Sequence, residues 1–149
     1  MKVQVEIVNP TQEECIRILC HKVTQDISEI VTYIKKRQGT IHAFLDDRQY
    51  ELALSDIYYI EAVDNRTFLY CTKQVYETRL KLYELEQLLA GKSFARISKS
   101  TIVNLMKIKA IKPALNSRFI AILSNQEEIM ITRKYVPVLR EKMRGGTGS

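Results

Sequence analysis

From residue 40 onward, apolar side chains recur at every second position, in short runs. The first two runs, residues 41–45 and 50–54, are separated by Asp46-Asp47, a dipeptide typical of tight turns. Alternation with a period of two buries one side of a strand, and closely spaced strands without intervening helices pair in antiparallel fashion. The pattern predicts a mainly β fold of the α+β class rather than a doubly wound sheet. Further strands are predicted at residues 57–63, 67–72, 75–79, 102–103, 108–111, 118–123 and 128–131.

Two segments interrupt this alternation and show helical spacing. Leucines between residues 82 and 89 form one apolar face, and Gly91 follows as a typical helix terminator. Apolar side chains between residues 136 and 143 predict a final helix, in which Pro137 is tolerated because it lies in the first turn. We therefore expect short helices at the middle and the end of a β-rich domain.

The N-terminal segment is predicted to begin with two strands. Residues 3–7 alternate, and Asn9-Pro10 is a turn signal. A second alternation, at residues 16–20, predicts another strand. The TQEE sequence at residues 11–14 has the pattern of a capping box, so a helix beginning there is the alternative.

A helix completes the N-terminal unit. Helical spacing over residues 23–34, with Thr24 as the N-cap and Gly39 as the terminator, predicts this helix. The glycine-rich C-terminal residues have little to pack, so we expect them to be mobile. The predicted organisation is a strand–strand–helix unit at residues 1–38, a β-rich domain at residues 39–144 and a flexible tail at residues 145–149.

Length and composition exclude several classes of protein. With 149 residues, 46% of them hydrophobic and 27% charged, the chain fits one globular domain with a small appendage and not a disordered protein. The longest apolar run, residues 119–123, is far shorter than the about 20 residues that a membrane-spanning helix needs. The first residues turn polar at once, unlike a secretory signal. We expect a soluble, cytoplasmic protein.

The cysteines indicate neither disulfides nor a metal centre. The sequence has three cysteines, Cys15, Cys20 and Cys71, and no CxxC pair. Because their number is odd and no such pair occurs, a disulfide framework is not expected. His21 and His42 would add ligand atoms to the first two cysteines, but this spacing fits no standard zinc pattern. We predict no metal and no cofactor.

The charge is distributed unevenly along the chain. Residues 1–91 contain 11 Lys and Arg against 14 Asp and Glu, whereas residues 92–149 contain 12 Lys and Arg against 3 acidic residues. A basic half beside a slightly acidic one is typical of a protein that binds a polyanion. A solvated basic face is the alternative, and charge alone does not distinguish DNA, RNA, an acidic lipid surface and an acidic protein.

Motifs of common enzymes do not occur in the sequence. It contains no GxSxG, HExxH, Walker loop or GxGxxG, and only five glycines with which to build a phosphate-binding loop. The carboxylate pairs Asp46-Asp47 and Glu127-Glu128 lie at predicted turns. We predict that the protein is not an enzyme.

Residues 94–105, FARISKSTIVNL, are the most distinctive segment of the basic half. The leucine-rich helix precedes them, as do IYYIEA at residues 57–62 and YETRL at residues 76–80, and TRKY at residues 132–135 stands before the final helix. In this order and spacing, these motifs resemble the LytTR DNA-binding domain family of bacterial transcription regulators, over roughly residues 40–143. The resemblance implies an elongated, antiparallel, β-rich LytTR-like domain with short helices.

The resemblance also implies contacts with double-stranded DNA. In the family, two loops enter successive major grooves and a third lies over the intervening minor groove. The first loop corresponds to residues 64–67 of this chain, with Arg66 as the contact to guanine or phosphate and Asn65 and Thr67 as its neighbours. Many members carry a histidine where this chain has Thr67, so that contact differs here.

The other two contacts implied by the resemblance lie in the basic half. Ser98, Lys99 and Ser100 correspond to the second loop, with Lys99 at the central position. Arg133 and Lys134 correspond to the third, where Arg133 is expected to reach base edges and Lys134 the backbone. An arginine can fork onto O6 and N7 of guanine, whereas a lysine is a point charge that adds mostly sequence-independent affinity.

The chain departs from the common arrangement of the family. Most members follow a phosphate-accepting receiver domain, and 37 residues before the β-rich domain are too few for one. The chain is therefore expected to belong to a stand-alone branch without a receiver. Residues 1–37 are a candidate for self-association as a homodimer, because the apolar stripe from Val23 to Ile34 is wide enough to bury against a partner. The equally open alternative is that this stripe packs on its own sheet.

From these observations we predict that the protein is a sequence-specific, DNA-binding transcription regulator that recognises repeated operator sites. The alternative is a protein-interaction module whose basic surface binds an acidic protein. A single-strand or RNA binder is disfavoured because such proteins use exposed aromatic side chains interleaved with basic ones. The basic half has only Phe94, Phe119 and Tyr135 as aromatic residues.

Overall fold

The alternating apolar side chains form two antiparallel sheets in the structure, a computed structural model that describes residues 1–145. Within the described residues, β1 to β10 are Thr40–Leu45, Arg48–Ala53, Ile57–Val63, Arg66–Cys71, Val75–Thr78, Phe94–Arg96, Thr101–Asn104, Ile108–Pro113, Phe119–Leu123 and Glu128–Ile131. A seven-stranded sheet has the order β2-β1-β5-β4-β3-β7-β6, and a three-stranded sheet has the order β10-β9-β8. Every strand pair in both sheets is antiparallel, which confirms the predicted fold class.

Tight turns with left-handed residues connect neighbouring strands. Asp46 between β1 and β2 has a φ of 57°, and Asp64 and Asn65 between β3 and β4 have φ values of 51° and 63°. Asn and Asp tolerate this region better than other L-residues, because their short side chains bond locally to the backbone. Two consecutive positive φ values are typical of the primed hairpin turns that match the twist of paired strands. The predicted hairpin tips are confirmed.

Helices lie where helical spacing predicted them. The first, α1, is Gln25–Arg37, and the Thr24 hydroxyl accepts a hydrogen bond from the N–H of Ile27 at 3.3 Å, as expected for an N-cap. The second, α2, is Leu82–Leu88, and the third, α3, is Val136–Gly145.

Two hydrophobic cores lie on opposite faces of the seven-stranded sheet. Successive residues of a strand point to opposite faces, so Ile60 belongs to the first core while Tyr59 belongs to the second. The first core lies between the sheet and the leucines of α2, among them Leu85. The second joins the sheet to the three-stranded sheet and to Leu139 of α3. Fully buried side chains of the two cores include Ile41, Ile57, Leu69, Ile97, Ile102, Val103, Leu123 and Ile131.

The two strands predicted before residue 21 are wrong. Residues 1–24 contain a turn at Asn9–Gln12 and no strand or helix. Val3, Val5 and Ile7 are about nine-tenths exposed, at 89%, 91% and 95%. A strand needs the backbone donors and acceptors of a neighbouring strand, and the seven-stranded sheet pairs none of its strands with this segment. Alternation alone does not provide that partner.

Part of the N-terminal helix packs on the rest of the chain. Ile27 of α1 is buried, and Lys35 forms an ion pair with Asp56 at 2.9 Å. Val23 and Tyr33 are exposed. The apolar stripe of this segment is thus divided between the inside of the protein and solvent.

The C-terminal helix reaches Gly145, so this residue is helical where a flexible tail was predicted from residue 145. The rest of that predicted tail, residues 146–149, lies outside the described residues. Among residues 1–145, no helix combines the length and the apolar character needed to cross a membrane.

Candidate nucleic-acid interface

All three segments predicted to contact DNA lie at one end of the seven-stranded sheet. The β3–β4 turn and the β6–β7 loop are neighbours because β3 and β7 pair, and the Ala62 N–H donates to the Ser100 carbonyl at 2.9 Å. The segment after β10 joins them, because the Thr132 N–H donates to the Ile97 carbonyl at 2.9 Å. We call this end of the sheet the basic end. Its exposed cationic side chains are Arg66, Arg79, Lys81, Lys99, Arg133 and Lys134.

In the first segment, Asn65 is exposed at the tip of the β3–β4 turn. The ammonium group of Lys81 donates to the Asn65 carbonyl at 3.3 Å, which links α2 to the turn. Thr67, in contrast, is 3% exposed and pairs with Thr78 inside the sheet. Its side chain does not reach the protein surface, so Thr67 is not retained as a contact residue.

Arg66, at the start of β4, is held by its neighbours on the same face of the sheet. Its Nε donates to Oε2 of Glu77 at 3.1 Å, and its Nη2 donates to Oε1 at 2.6 Å. The guanidinium carbon lies 5.0 Å from the centre of the Phe68 ring. The hydrogen bonds from Arg66 hold the pKa of the Glu77 carboxyl below its usual value, so the pair is ionic at neutral pH. The guanidinium is oriented before any ligand arrives.

The second segment is a braced loop. Ser98 Oγ accepts a hydrogen bond from the Ser100 N–H at 3.2 Å. Arg96 donates from Nε to the Ser98 carbonyl at 2.8 Å and from Nη2 to the Lys99 carbonyl, and its Nη1 bonds Glu86 at 2.9 Å. The loop backbone is thus fixed from below while the Lys99 side chain is exposed.

The third segment is a 3₁₀ turn, Arg133–Tyr135, between β10 and α3. Arg133 and Lys134 are both exposed, and the Lys134 ammonium lies 5.6 Å from the centre of the Tyr135 ring. The side chain of Thr132, like its N–H, donates to the Ile97 carbonyl, at 3.2 Å. The turn is therefore attached directly to the residue that precedes the second segment.

Sequence reasoning missed three cationic residues of this region. Arg79 and Lys81 follow β5, whose end lies beside the start of β4. The Arg79 guanidinium carbon lies 5.6 Å from the centre of the Phe44 ring. Arg96 was assigned no role, because its bracing contacts depend on a hairpin whose first strand is only three residues long. The two cationic residues between positions 79 and 81 could have indicated this part of the surface from the sequence. They were overlooked because residues 1–91 as a whole have a slightly negative charge.

Candidate metal ligands are not brought together. Cys15 and Cys20 are exposed in the N-terminal segment, and His42 bonds Glu51 at 2.7 Å and Gln49 at 2.9 Å. Among the described residues, no group of three His, Cys, Asp or Glu side chains is arranged to hold a metal ion.

Known proteins similar to this chain include a bacterial sensory transduction protein and a bacterial transcriptional regulatory protein. The sensory transduction protein LytT of Enterococcus faecalis is 28% identical over 141 residues, which cover 92% of this chain and 58% of that protein. The transcriptional regulatory protein YpdB of Escherichia coli K12 is 29% identical over 144 residues, which cover 92% of this chain and 59% of that protein. The chain thus spans less than two thirds of the length of these relatives.

A solved structure and a family model agree with these relatives. The LytTr DNA-binding domain of a Bacillus cereus methyl-accepting/DNA response regulator superimposes with a TM-score of 0.66 at 29% identity, covering 70% of this chain and 95% of that domain. The model of the LytTr DNA-binding domain matches residues 47–144, more than half of the chain. The chain belongs to the LytTR DNA-binding domain family.

Proposed function

We propose that this chain binds double-stranded DNA sequence-specifically through the loops of the basic end and thereby regulates transcription. One observation carries the proposal: three segments that are far apart in the sequence meet at one end of the sheet. Hydrogen bonds from Ala62 to Ser100 and from Thr132 to Ile97 hold them together. The family membership and the similarity to YpdB, whose name describes a transcriptional regulatory protein, support the same function.

The proposed roles follow from side-chain chemistry. Lys99 and Lys134 contact phosphates, because an ammonium group is a point charge that does not distinguish bases. Arg133 and Arg66 contact base edges, because a guanidinium presents parallel donors that match O6 and N7 of guanine. One such bidentate contact is worth about 1–3 kcal/mol of discrimination.

Smaller polar groups of the basic end complete the proposed contact surface. The Asn65 amide and the hydroxyls of Ser98 and Ser100 are hydrogen-bonding groups on either side of the arginine and lysine contacts. Arg79 and Lys81 extend the cationic surface beyond the segments predicted from the sequence, and we propose that they contact phosphates. These residues position the DNA backbone, which fixes the register of the base contacts.

The test is duplex DNA binding, measured by fluorescence anisotropy across a salt series with a pooled promoter library. The wild type is compared with Lys99→Ala and Arg133→Ala. Lys73→Ala and Arg48→Ala are matched controls, because these exposed cations lie in hairpins at the opposite end of the same sheet. Every variant carries one positive charge less than the wild type, so position is the variable.

We expect Arg133→Ala to flatten the sequence preference and Lys99→Ala to weaken affinity and to reduce the salt slope by about 1. The two controls should change affinity much less. Binding that is weak, sequence-independent and equally affected by all four substitutions would contradict the proposal. That result would favour a protein-interaction module that binds an acidic protein.

We also propose that the chain binds repeated operator sites as a homodimer formed through residues 1–37. The support is the exposed apolar surface of this segment: Val3, Val5 and Ile7 are almost fully exposed, and Ile16, Leu19 and Val23 are at least two-thirds exposed. Extended segments with alternating apolar side chains and free backbone groups pair readily with a second copy.

Sedimentation of the full chain tests self-association. Val5→Lys should convert a dimer to a monomer, because the new charge would be buried between the copies. Gln4→Lys is the matched control, since it adds the same charge at the neighbouring polar position. A wild-type chain that sediments as a monomer at every concentration would refute the homodimer.

A further inference from the structure

The ion pair between Arg66 and Glu77 occupies only one side of the guanidinium group. The two hydrogen bonds use Nε and Nη2, at 3.1 and 2.6 Å. The Glu77 side chain is 20% exposed, whereas that of Arg66 is 62% exposed. The carboxylate thus lies against the sheet and the arginine projects from it.

Counting donors shows what remains available to a ligand. A guanidinium has five N–H groups, of which the Nε–H and one Nη2–H point to Glu77. Both Nη1–H groups and the second Nη2–H remain. The edge formed by Nη1 and Nη2 carries two parallel donors, and this edge suits the O6 and N7 acceptors of guanine. The ion pair therefore leaves the base-reading edge of Arg66 free.

The surroundings of Glu77 keep its carboxylate in place. It lies on β5 between Phe44 on β1 and Phe68 on β4, which are its direct cross-strand neighbours. Phe68 also lies under the Arg66 guanidinium, 5.0 Å from its carbon. Two half-buried aromatic rings thus flank the carboxylate, and one of them supports the arginine from below.

We propose that Glu77 is a positioning residue that orients Arg66 to recognise one guanine in the major groove. This inference rests on the proposed function and deepens it. A free arginine must lose many rotamers when it binds a base, whereas one already fixed by a bidentate bond loses few. Glu77 therefore increases base preference, although its negative charge repels the DNA backbone.

This role predicts that the two properties of binding change in opposite directions. Glu77→Gln removes the negative charge, so affinity for unrelated duplexes should rise. The same substitution loosens Arg66, so preference for its guanine should fall. If Glu77 merely competed with DNA for Arg66, its removal would raise affinity and preserve or increase that preference.

The experiment uses the full chain and a pool of randomised DNA duplexes. The wild type selects a duplex, and each of its guanines is then replaced in turn by 7-deazaguanine, which lacks the N7 acceptor. Affinities are measured for the wild type, Glu77→Gln and Arg66→Lys. Glu51→Gln is the matched control, because Glu51 is a carboxylate on the same sheet that is hydrogen-bonded to Nδ1 of His42 at 2.7 Å.

We expect one guanine at which 7-deazaguanine weakens wild-type binding about tenfold, a value within the range of a single bidentate contact. Glu77→Gln and Arg66→Lys should each lose most of that penalty, while Glu51→Gln should retain it. The double variant with Glu77→Gln and Arg66→Lys should lose little more of the penalty than either single variant, since both substitutions act on one contact. Circular dichroism and the unfolding midpoint verify that each variant is folded.

Two results would overturn the inference in distinguishable ways. A Glu77→Gln variant that keeps the full penalty at the guanine shows that the carboxylate does not orient the arginine, and the proposed function still stands. A wild type that selects no sequence from the pool refutes sequence-specific binding and the role of Glu77 together. If Glu77→Gln is unfolded, Arg66→Lys and Phe68→Leu replace it in the test. If 7-deazaguanine still weakens the binding of both variants as much as that of the wild type, the proposed positioning of Arg66 is refuted.

Discussion

Thr132 donates two hydrogen bonds to the main-chain carbonyl of Ile97, one from its N–H at 2.9 Å and one from its hydroxyl at 3.2 Å. These two hydrogen bonds join the turn after β10 to the loop after β6, although Thr132 and Ile97 are 35 residues apart in the sequence. Ile97 itself is fully buried, so the acceptor is fixed by the core. The relative position of two proposed DNA contacts therefore depends on one threonine.

Thr132→Val removes the hydroxyl donor and keeps the branched shape and the N–H. We expect the free energy of unfolding to fall by about 1 kcal/mol, the usual net value of one hydrogen bond, and DNA affinity to fall several-fold. Urea unfolding and anisotropy measure the two effects. Thr32→Val, on the exposed face of α1, is the control and should change stability by less than about 0.5 kcal/mol. Equal effects of the two substitutions would contradict the role of Thr132.

Arg96→Lys tests the brace under the Ser98–Ser100 loop. Lysine keeps the charge but cannot donate to the Ser98 and Lys99 carbonyls and to Glu86 at once. We expect faster amide hydrogen exchange in the loop and weaker DNA binding, with little change elsewhere in the sheet. Arg48→Lys provides the control at the opposite end of the sheet. Unchanged exchange of the loop amides would show that the loop is held without Arg96.

Asn104 is a buried polar residue whose substitution should be costly. It is 3% exposed, its Nδ2 donates to the Ile57 carbonyl at 2.9 Å, and its Oδ1 accepts from the Met106 N–H at 3.0 Å. Asn104→Ala leaves both backbone groups without their partner, so we expect a loss of about 1–3 kcal/mol in urea unfolding. Asn125→Ala, in an exposed turn, should cost clearly less. A similar cost for both would contradict this account.

Two glycines with positive φ should respond differently to alanine. Gly39 has a φ of 122°, and a Cβ there would lie 2.9 Å from Cδ1 of the buried Leu54. Gly91 has a φ of 79° and open space around the position of a Cβ. Gly91→Ala should cost about 1 kcal/mol for backbone strain alone, and Gly39→Ala about 2–4 kcal/mol because crowding of the core adds to it. Thermal or urea unfolding shows which of the two variants loses more stability. A larger loss for Gly91→Ala than for Gly39→Ala would refute this account.

The three thiols should differ in reactivity towards iodoacetamide. Cys15 and Cys20 are exposed, whereas burial raises the pKa of Cys71 to about 11. Because the thiolate is the nucleophile, we expect mass spectrometry at pH 8 to show two rapid additions and a slow third one. The folded state holds the Cys71 proton more tightly than the unfolded state, so stability should decline as the pH rises from the ordinary thiol pKa towards 11. Rapid labelling of all three thiols in the native protein would contradict the burial of Cys71.

The sequence predicted those elements whose pattern is long enough to show a period. The strand Thr40–Leu45 and the helix α2 were located correctly, because apolar side chains recur with a period of two in the strand and at helical spacing in α2. The strand Phe94–Arg96 has three residues, too few to display alternation. Residues 3–7 do alternate, but a pattern states only that one side prefers burial and not which strand lies beside it.

Contacts within the basic end were less accessible to sequence reasoning. Its three segments were identified through the family resemblance, whereas their mutual contacts depend on the pairing of β3 with β7. The ion pair of Arg66 with Glu77 depends on the register between β4 and β5, and this register could not be predicted from the sequence. The family resemblance placed Thr67 in the first DNA-contacting loop, but the register pairs it with Thr78, and its side chain is buried.

Strand order also has a consequence for the kinetics of folding. The strands β8, β9 and β10 are consecutive in the chain, as are β3, β4 and β5, so both groups close short loops. The pairing of β3 with β7 closes a loop of about forty residues and pays a larger entropic cost. We therefore expect the two local meanders to form early and the β3–β7 seam to close late. A chain caught before that closure carries every cationic side chain of the basic end but has no assembled surface to offer DNA.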